Sequence, residues 1–432
     1  MKKVFGSWFG LSWVTICLVG DPLSMFGETH PMASPVLAWN AVALDTIRFD
    51  NTPPPAAARQ LALMHVAMFD AANSLGGGYD SYRLRVGAPA EALPAAAMAG
   101  AAHFVLRHGW PQFTPRFDAE LQAQILALPS GQARAAGVAW GKKVARQMVE
   151  DRAYDGSHYS IDYRSSGLEG KWRSTPPYFA GALLAQWGQV QPFTLRSPDQ
   201  FRPPAPLALR SKEWAQELNE VKSLGSTNSV SRTREQTEVA WFWADGVGTQ
   251  SPPGRWNDVA QQLAVAKTLP LLESARLFAL LNLALADAGI ACWDAKYVYD
   301  FWRPITAIRE ADRDCNADTT QDRGWTPLIV TPPFPEFPSG HATFSAAAAT
   351  ILTAVNGSDR FRFRLRSDGL FGRERKYARF SEAAQEAGMS RIYGGIHFMS
   401  ANQEGQRCGR QVGDHVARGY LRPKTLALSG RR

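Results

Sequence analysis

Cysteine is scarce in this 432-residue chain, with four in all. They are Cys17, Cys292, Cys315 and Cys408, and no CxxC or CxxH pairing joins them. A disulfide scaffold is excluded, and a zinc site has no support. If an N-terminal signal carrying Cys17 is removed, three cysteines remain, enough for one disulfide, for example Cys315 with Cys408, in an oxidising compartment. Blocks of one charge are also missing. The chain is basic, 47 Lys and Arg against 39 Asp and Glu, but no block of five or six basic residues interleaved with aromatics stands out, so nucleic acid is not indicated as a partner. Past the first twenty residues no apolar run reaches 18. The best candidate, Leu277 to Ala291, holds Asn282 and Asp287 and reads as a buried helix of a bundle rather than a membrane span. Strict period-two alternation is scarce, and no repeat of 20 to 50 residues is evident. There is no phosphate-binding P-loop, HExxH or GxSxG. Asp312 to Arg323 fails as a calcium loop, because Ala317 and Arg323 stand where Gly and Glu are needed. His65, His103, His108, His158 and His415 fall in no metal-ligand pattern.

What remains is an ordinary globular composition, 45% apolar and 20% charged, enough for a sizeable core. Lys2 and Lys3 precede an apolar stretch, Val4 to Gly20, which reads as an export signal within residues 1–30; an uncleaved membrane anchor is the alternative. Export would place the mature protein in the periplasm or outside the cell. Helical patterns dominate. They run over Ala56–Asn73, Ala95–Arg107, Phe117–Leu128, Ala133–Asp151, Glu235–Asp245, Ala260–Trp302 with a break near Pro270, His341–Asn356 and Asn402–Tyr420. The expected fold class is all-α: helical bundles with long Pro- and Gly-rich connectors at 152–210 and 309–340. The expected organisation is an N-terminal helical region, 35–250, and a C-terminal bundle, 251–425. Connectors of that length are more often functional, or wrapped on the core, than idle.

Three segments carry chemistry. The first runs from Lys296 to Arg303-Pro304. Seven residues of helix would put both cations within about 20° on one face, with Pro304 ending the helix. Alone, such a pair is most often a solvated face; here Trp293, Tyr297, Tyr299, Phe301 and Trp302 make the surroundings apolar, where a charge needs a partner. The second is Pro332-Pro-Phe334-Pro-Glu336-Phe-Pro-Ser339-Gly340-His341, leading into a run of small residues. Ser339 is a natural N-cap, Gly340 admits a ligand to the backbone, and the free N–H groups favour an anion. The third is Ser390-Arg391 to His397. A continuous helix would hold Arg391 and His397 about 120° apart; Gly394-Gly395 permits a break that lets both face one ligand. Together the segments supply three cations, backbone donors and two imidazoles, a set suited to a multiply charged oxyanion.

These three motifs, in this order, resemble the signature shared by vanadium-dependent haloperoxidases and type 2 phosphatidic acid phosphatases. The likeness covers roughly 287–420. Trp39 to Asp45 and His65 to Asn73 more loosely resemble the N-terminal half of bacterial haloperoxidase-like proteins. The resemblance implies vanadate as cofactor, bound by Lys296, Arg303, Ser339, Gly340 and Arg391, with His397 as the vanadium ligand. His341 would be the acid–base group, and Lys296 would also polarise peroxide. The substrates implied are hydrogen peroxide, a halide and a small organic acceptor. Trp293 and Phe334 would line the substrate pocket. The same motifs also suit an acid phosphatase acting through a phosphohistidine at His397, or a non-catalytic oxyanion-binding protein. The scarcity of membrane spans and the Phe-Trp-Arg-Pro ending are more similar to haloperoxidases. One departure stands out. The family carries Asp four residues after the last His, to orient the imidazole, and here that residue is Ala401. Asn402 or a backbone carbonyl is the expected substitute.

Overall fold

The structure is a computed structural model that describes residues 34–84 and 87–424. The expected export signal lies outside the described residues. From the N-terminal side come α1 (Pro35–Asp50), α2 (Pro54–Gly76), α3 (Pro94–Gly109), α4 (Thr114–Leu126) and α5 (Gln132–Asp151). After a long connector follow α6 (Lys212–Leu224), α7 (Arg234–Phe242), α8 (Ser251–Ala266), α9 (Leu271–Tyr299) and α10 (Pro304–Arg309). The chain ends with α11 (Gly340–Asn356), a hairpin of β1 (Arg360–Arg366) and β2 (Glu374–Arg379), α12 (Phe380–Tyr393) and α13 (Met399–Gly419). Proline opens α1, α2, α3 and α10, where its missing N–H costs nothing and its fixed φ is already helical.

The mostly helical expectation holds, and the break expected near Pro270 separates α8 from α9. Helix α9 is the central strut. It is long and apolar enough to cross a membrane, yet the most apolar part of it is 94% buried inside the protein. It packs on α2, α11 and α13; the main apolar core runs from Val36 to Leu421, with a second cluster around Trp214, Trp302 and Phe398. Helix α13 lies unusually close to α11, and Gly409 makes that possible: a Cβ there would sit 2.2 Å from the Thr343 carbonyl oxygen.

Several features depart from the sequence reading. Helices α1, α6, α10 and α12 were not expected. Neither was the hairpin, although its first strand alternates Arg360, Arg362, Arg364 and Arg366 outward with Phe363 and Leu365 buried. That alternation is the period of a half-buried strand. It puts a row of arginines beside aromatics, which the search for basic blocks passed over. Cys292, Cys315 and Cys408 are all free, so the Cys315–Cys408 bridge does not form; Cys315 is exposed while Cys408 is buried.

The connector at 152–210 wraps the core. Asp287, fully buried in α9, accepts from the backbone N–H groups of Phe193, Thr194 and Leu195. Those donors offset the cost of burying a carboxylate, several kcal/mol if left unpartnered at about this depth. Asp155 joins Arg59 of α2 (2.8 Å) and Arg152 (3.0 Å) in a buried cluster. Near the far end, Lys171 pairs with Phe301 as a short β-bridge. The Leu183 N–H donates to the Pro333 carbonyl. The connector therefore braces both segments that lead into the site.

Candidate functional site

Helix α9 does not carry both cations of the first motif. It ends at Tyr299, and Asp300 takes a left-handed conformation with φ 52°. Arg303 is the extended N-cap of α10, and Pro304 starts that helix rather than ending the previous one. The side chains still meet, because the chain folds back over the 332–338 loop. Lys296 Nζ is fully buried and donates to the carbonyls of Pro335 (2.9 Å), Glu336 (2.9 Å) and Pro338 (2.5 Å). Its three protons thus hold the proline-rich loop in place. Burial pushes its pKa down to about 7.

Arg303 bridges the other two segments. Its Nε donates to the Phe334 carbonyl (2.8 Å), and its Nη1 donates to the Ile396 carbonyl (2.8 Å) and to His397 Nε2 (3.1 Å). Arg391, at the end of α12, donates from Nη1 to the Trp243 carbonyl (2.7 Å). The helix then stops. Gly395, at φ 76°, closes against the Gly225 backbone, and His397 stands in the extended stretch before α13. The break expected at Gly394-Gly395 is where the chain turns. Ser339 caps α11, its hydroxyl accepting from the Ala342 N–H. Gly340 and His341, in the first turn, line a cavity with Arg391 and His397.

The His397 ring is held from both sides. Nδ1 is 2.8 Å from Glu336 Oε1. An arginine can only donate, so Nε2 facing Arg303 must carry the lone pair. Nδ1 therefore bears the proton and donates it to Glu336. Glu336 takes over the role of the family's missing Asp. Ala401 is buried and offers only its carbonyl, which accepts from the Ser339 N–H (3.0 Å). Asn402, the expected substitute, faces the sulfurs of Met389 and Met399 instead. Burial pushes Glu336 up to about 8, against the pull of the Phe398 N–H, Arg303 and Lys296. Burial, then the three nearby cations, holds His397 well below the ordinary imidazole value.

His341 has its own partner. Its Nε2 is 3.5 Å from Asp245 Oδ2, a long contact, and Asp245 is paired with the buried Arg255. Burial and the Arg391 charge push His341 down to about 4, with Asp245 pulling the other way. Burial raises Asp245, but Arg255 and His341 outweigh it and hold the carboxyl below its usual range. Sequence reading missed both acids. Glu336 stood inside the quoted proline-rich motif without a role, and Asp245 stood at the end of an expected helix.

An oxyanion fits this arrangement. Arg303 Nη2 and Arg391 Nε are buried without hydrogen-bond partners. Such groups are costly unless something accepts or donates there. The N-terminus of α11 adds backbone N–H groups to them, and such a set of donors suits a tetrahedral oxyanion. Among the described residues there is no cluster of three metal-ligating side chains. A metal held through its own oxygens and a single histidine is consistent with that. Trp293 and Phe334 meet at a tilt of 50°, with 5.0 Å between ring centroids, on the cavity wall.

Known proteins share this fold and part of this sequence. Residues 276–423 match the VCPO second helical-bundle domain. A 139-residue stretch is 38% identical to vanadium chloroperoxidase of Curvularia inaequalis, covering 28% of this chain and 22% of that relative. The solved structure of the first bacterial vanadium-dependent iodoperoxidase superposes with a TM-score of 0.77 at 25% identity, over 90% of this chain and 97% of that one. A holo-type bacterial vanadium-dependent chloroperoxidase shares the fold, with a TM-score of 0.67 at 16% identity over 86% of this chain and 94% of that one. Residues 276–423 thus carry a VCPO second helical-bundle domain, on a chain-long fold similar to that of a bacterial vanadium-dependent iodoperoxidase.

Proposed function

We propose that this protein binds vanadate and catalyses the oxidation of halide by hydrogen peroxide, giving hypohalous acid and water. The observation that carries this reading is the fixed tautomer of His397. Its Nε2 lone pair faces Arg303 at the wall of the cavity while Glu336 holds the opposite nitrogen. Vanadate held there supplies a Lewis acid that activates peroxide toward halide.

The chain's own residues do the rest. Arg303 and Arg391 balance the anionic charge with directed N–H groups. The Ser339–Gly340 turn presents backbone donors at the start of α11. Lys296 secures the proline-rich loop that carries Phe334 and Glu336, and its charge lies 5.1 Å from the Phe334 ring. His341 is neutral in the free site at neutral pH. It can accept a proton from incoming peroxide at a ring nitrogen and return it to the departing oxygen, since the net reaction consumes one proton for each halide oxidised. Trp293 and Phe334 give the halide an apolar wall. The export signal expected within residues 1–30 would place this chemistry outside the cytoplasm.

A phosphoryl-transfer reading uses the same Nε2 lone pair as nucleophile. One experiment separates the two. Purified protein, with and without vanadate, is assayed for peroxide-dependent oxidation of iodide, bromide and chloride, and for hydrolysis of an aryl phosphate. Halide oxidation that requires vanadate supports the proposal. Hydrolysis that vanadate inhibits, without halide oxidation, overturns it.

A further inference from the structure

The oxyanion site lies at the bottom of a cavity of about 690 Å³. That is within the roughly 300–1,000 Å³ range of organic-ligand pockets, and far more than a halide and a peroxide need. Its walls are nearly uncharged. Among its lining residues the charged or imidazole groups are Asp245, His341, Arg391 and His397, all of them already part of the site below. The upper walls are aromatic and aliphatic. Tyr178 comes from the wrapped connector, Trp241 and Val247 from α7 and the loop after it, and Val330 from the stretch before the proline-rich loop. These four are exposed, Val247 at 89% and Tyr178 at 77%. Four apolar side chains brought from separate stretches to one rim are not needed to fill the core. Exposed apolar surface gathered around a concave site marks a ligand.

We propose that this cavity binds a neutral aromatic acceptor and holds it over the oxyanion site, so that halogenation takes place within the protein. The inference rests on the halide-oxidation reading and adds the substrate class. Charge selects against anionic and cationic acceptors, because the upper walls hold nothing to pair with them. Ring stacking on Tyr178 and Trp241 favours planar arenes. In the reaction, hypohalous acid made on the floor transfers its halogen to a ring carbon. The new carbon–halogen bond replaces a carbon–hydrogen bond, and the ring proton leaves with the hydroxyl as water. The oxidant is the hydrogen peroxide already used to make hypohalous acid.

The test uses 1-naphthol as probe and phenol red, an anionic dye, as comparison. Calorimetry on the vanadate-free protein measures naphthol binding without any turnover. The expected result is saturable binding at one site per chain. Trp241→Ala and Val247→Asp change the rim and leave the floor untouched; each should weaken naphthol binding about tenfold. With vanadate, peroxide and bromide, wild type should give a ratio of ring-halogenated isomers different from that of free hypobromous acid. Both variants should return that ratio to the free-reagent value and brominate phenol red at the wild-type rate. Absence of saturable naphthol binding to wild type, or binding unchanged in both variants, would overturn the proposal. So would an isomer ratio equal to that of the free reagent in wild type. Should naphthol bind and the variants weaken it while no halide is oxidised at all, the cavity assignment stands and the halide-oxidation reading is the one that fails.

Discussion

Glu336 Oε1 accepts two hydrogen bonds at once, from His397 Nδ1 at 2.8 Å and from the Phe398 N–H at 2.9 Å. One carboxylate oxygen thereby fixes the tautomer, the ring plane and the backbone of the residue whose Nε2 lone pair faces Arg303. Groups that orient a metal-binding imidazole in this way are typically worth about 10–100-fold in affinity. Glu336→Ala should therefore weaken vanadate binding by about that factor. Glu336→Gln keeps an oxygen able to accept both bonds and should lose less. Vanadate titration by calorimetry on both variants checks the order, and equal losses in the two would contradict it.

Arg303 reaches His397 only because the Phe334 and Ile396 carbonyls hold its guanidinium. A lysine has neither the planar fork nor the second nitrogen row. Arg303→Lys should lower phosphate and vanadate affinity tenfold or more, about 1.4 kcal/mol, while Arg303→Ala should lower it further. His397→Ala should abolish turnover. Full activity in either the His397 or the Arg303 alanine variant would mean the pocket is misplaced.

Asp245 raises the pKa of His341, which burial and Arg391 otherwise push down to about 4. Removing the negative charge in Asp245→Asn takes that support away, so His341 protonates only at lower pH. The acid limb of the rate–pH profile should move to lower pH. The variant also leaves Arg255 buried without its anion, a loss of about 3–5 kcal/mol in comparable buried pairs. The profile is therefore measured at a temperature where melting curves show the variant folded. A limb shifted upward, or unmoved, would contradict the assigned contact.

Asp155 ties α2 to the wrapped connector through Arg59 and Arg152. Burial opposes ionisation of its carboxyl, but the two guanidiniums prevail and hold its pKa below the ordinary 3.8. A depressed folded-state value adds stability that is fully present above pH about 4 and disappears as pH falls through the lower folded value. Asp155→Asn should cost about 3–5 kcal/mol at neutral pH, and the gap from wild type should narrow as the pH drops below 4. Denaturant melts at several pH values measure it. A gap that widens toward acid would refute the pairing.

Much of this was legible along the chain, for identifiable reasons. Ser339-Gly340-His341 and Arg391-Ile-Tyr-Gly-Gly-Ile-His397 are local devices, a cap and a helix break, so their geometry follows from neighbours in sequence. The helix positions followed from composition and from proline. The pairing of Lys296 with Arg303 was reached for the wrong reason. Helical arithmetic cannot foresee that Asp300 turns left-handed, and the two cations meet through a loop forty residues on. Glu336 could not be assigned from sequence, because its partner is 61 positions away and the expected Asp position holds Ala401. The hairpin was overlooked since its alternation of Arg with Phe and Leu is short and stands alone among helices.

The central claim is that the three segments enclose one tetrahedral oxyanion bonded through His397. Equilibrium vanadate titration of wild type against His397→Ala, with phosphate as competitor, tests it most directly. One vanadate per wild-type chain, displaced competitively by phosphate, with affinity lost in His397→Ala, is the outcome the geometry demands. Unchanged vanadate affinity in His397→Ala, or phosphate binding alongside vanadate without competition, would contradict it.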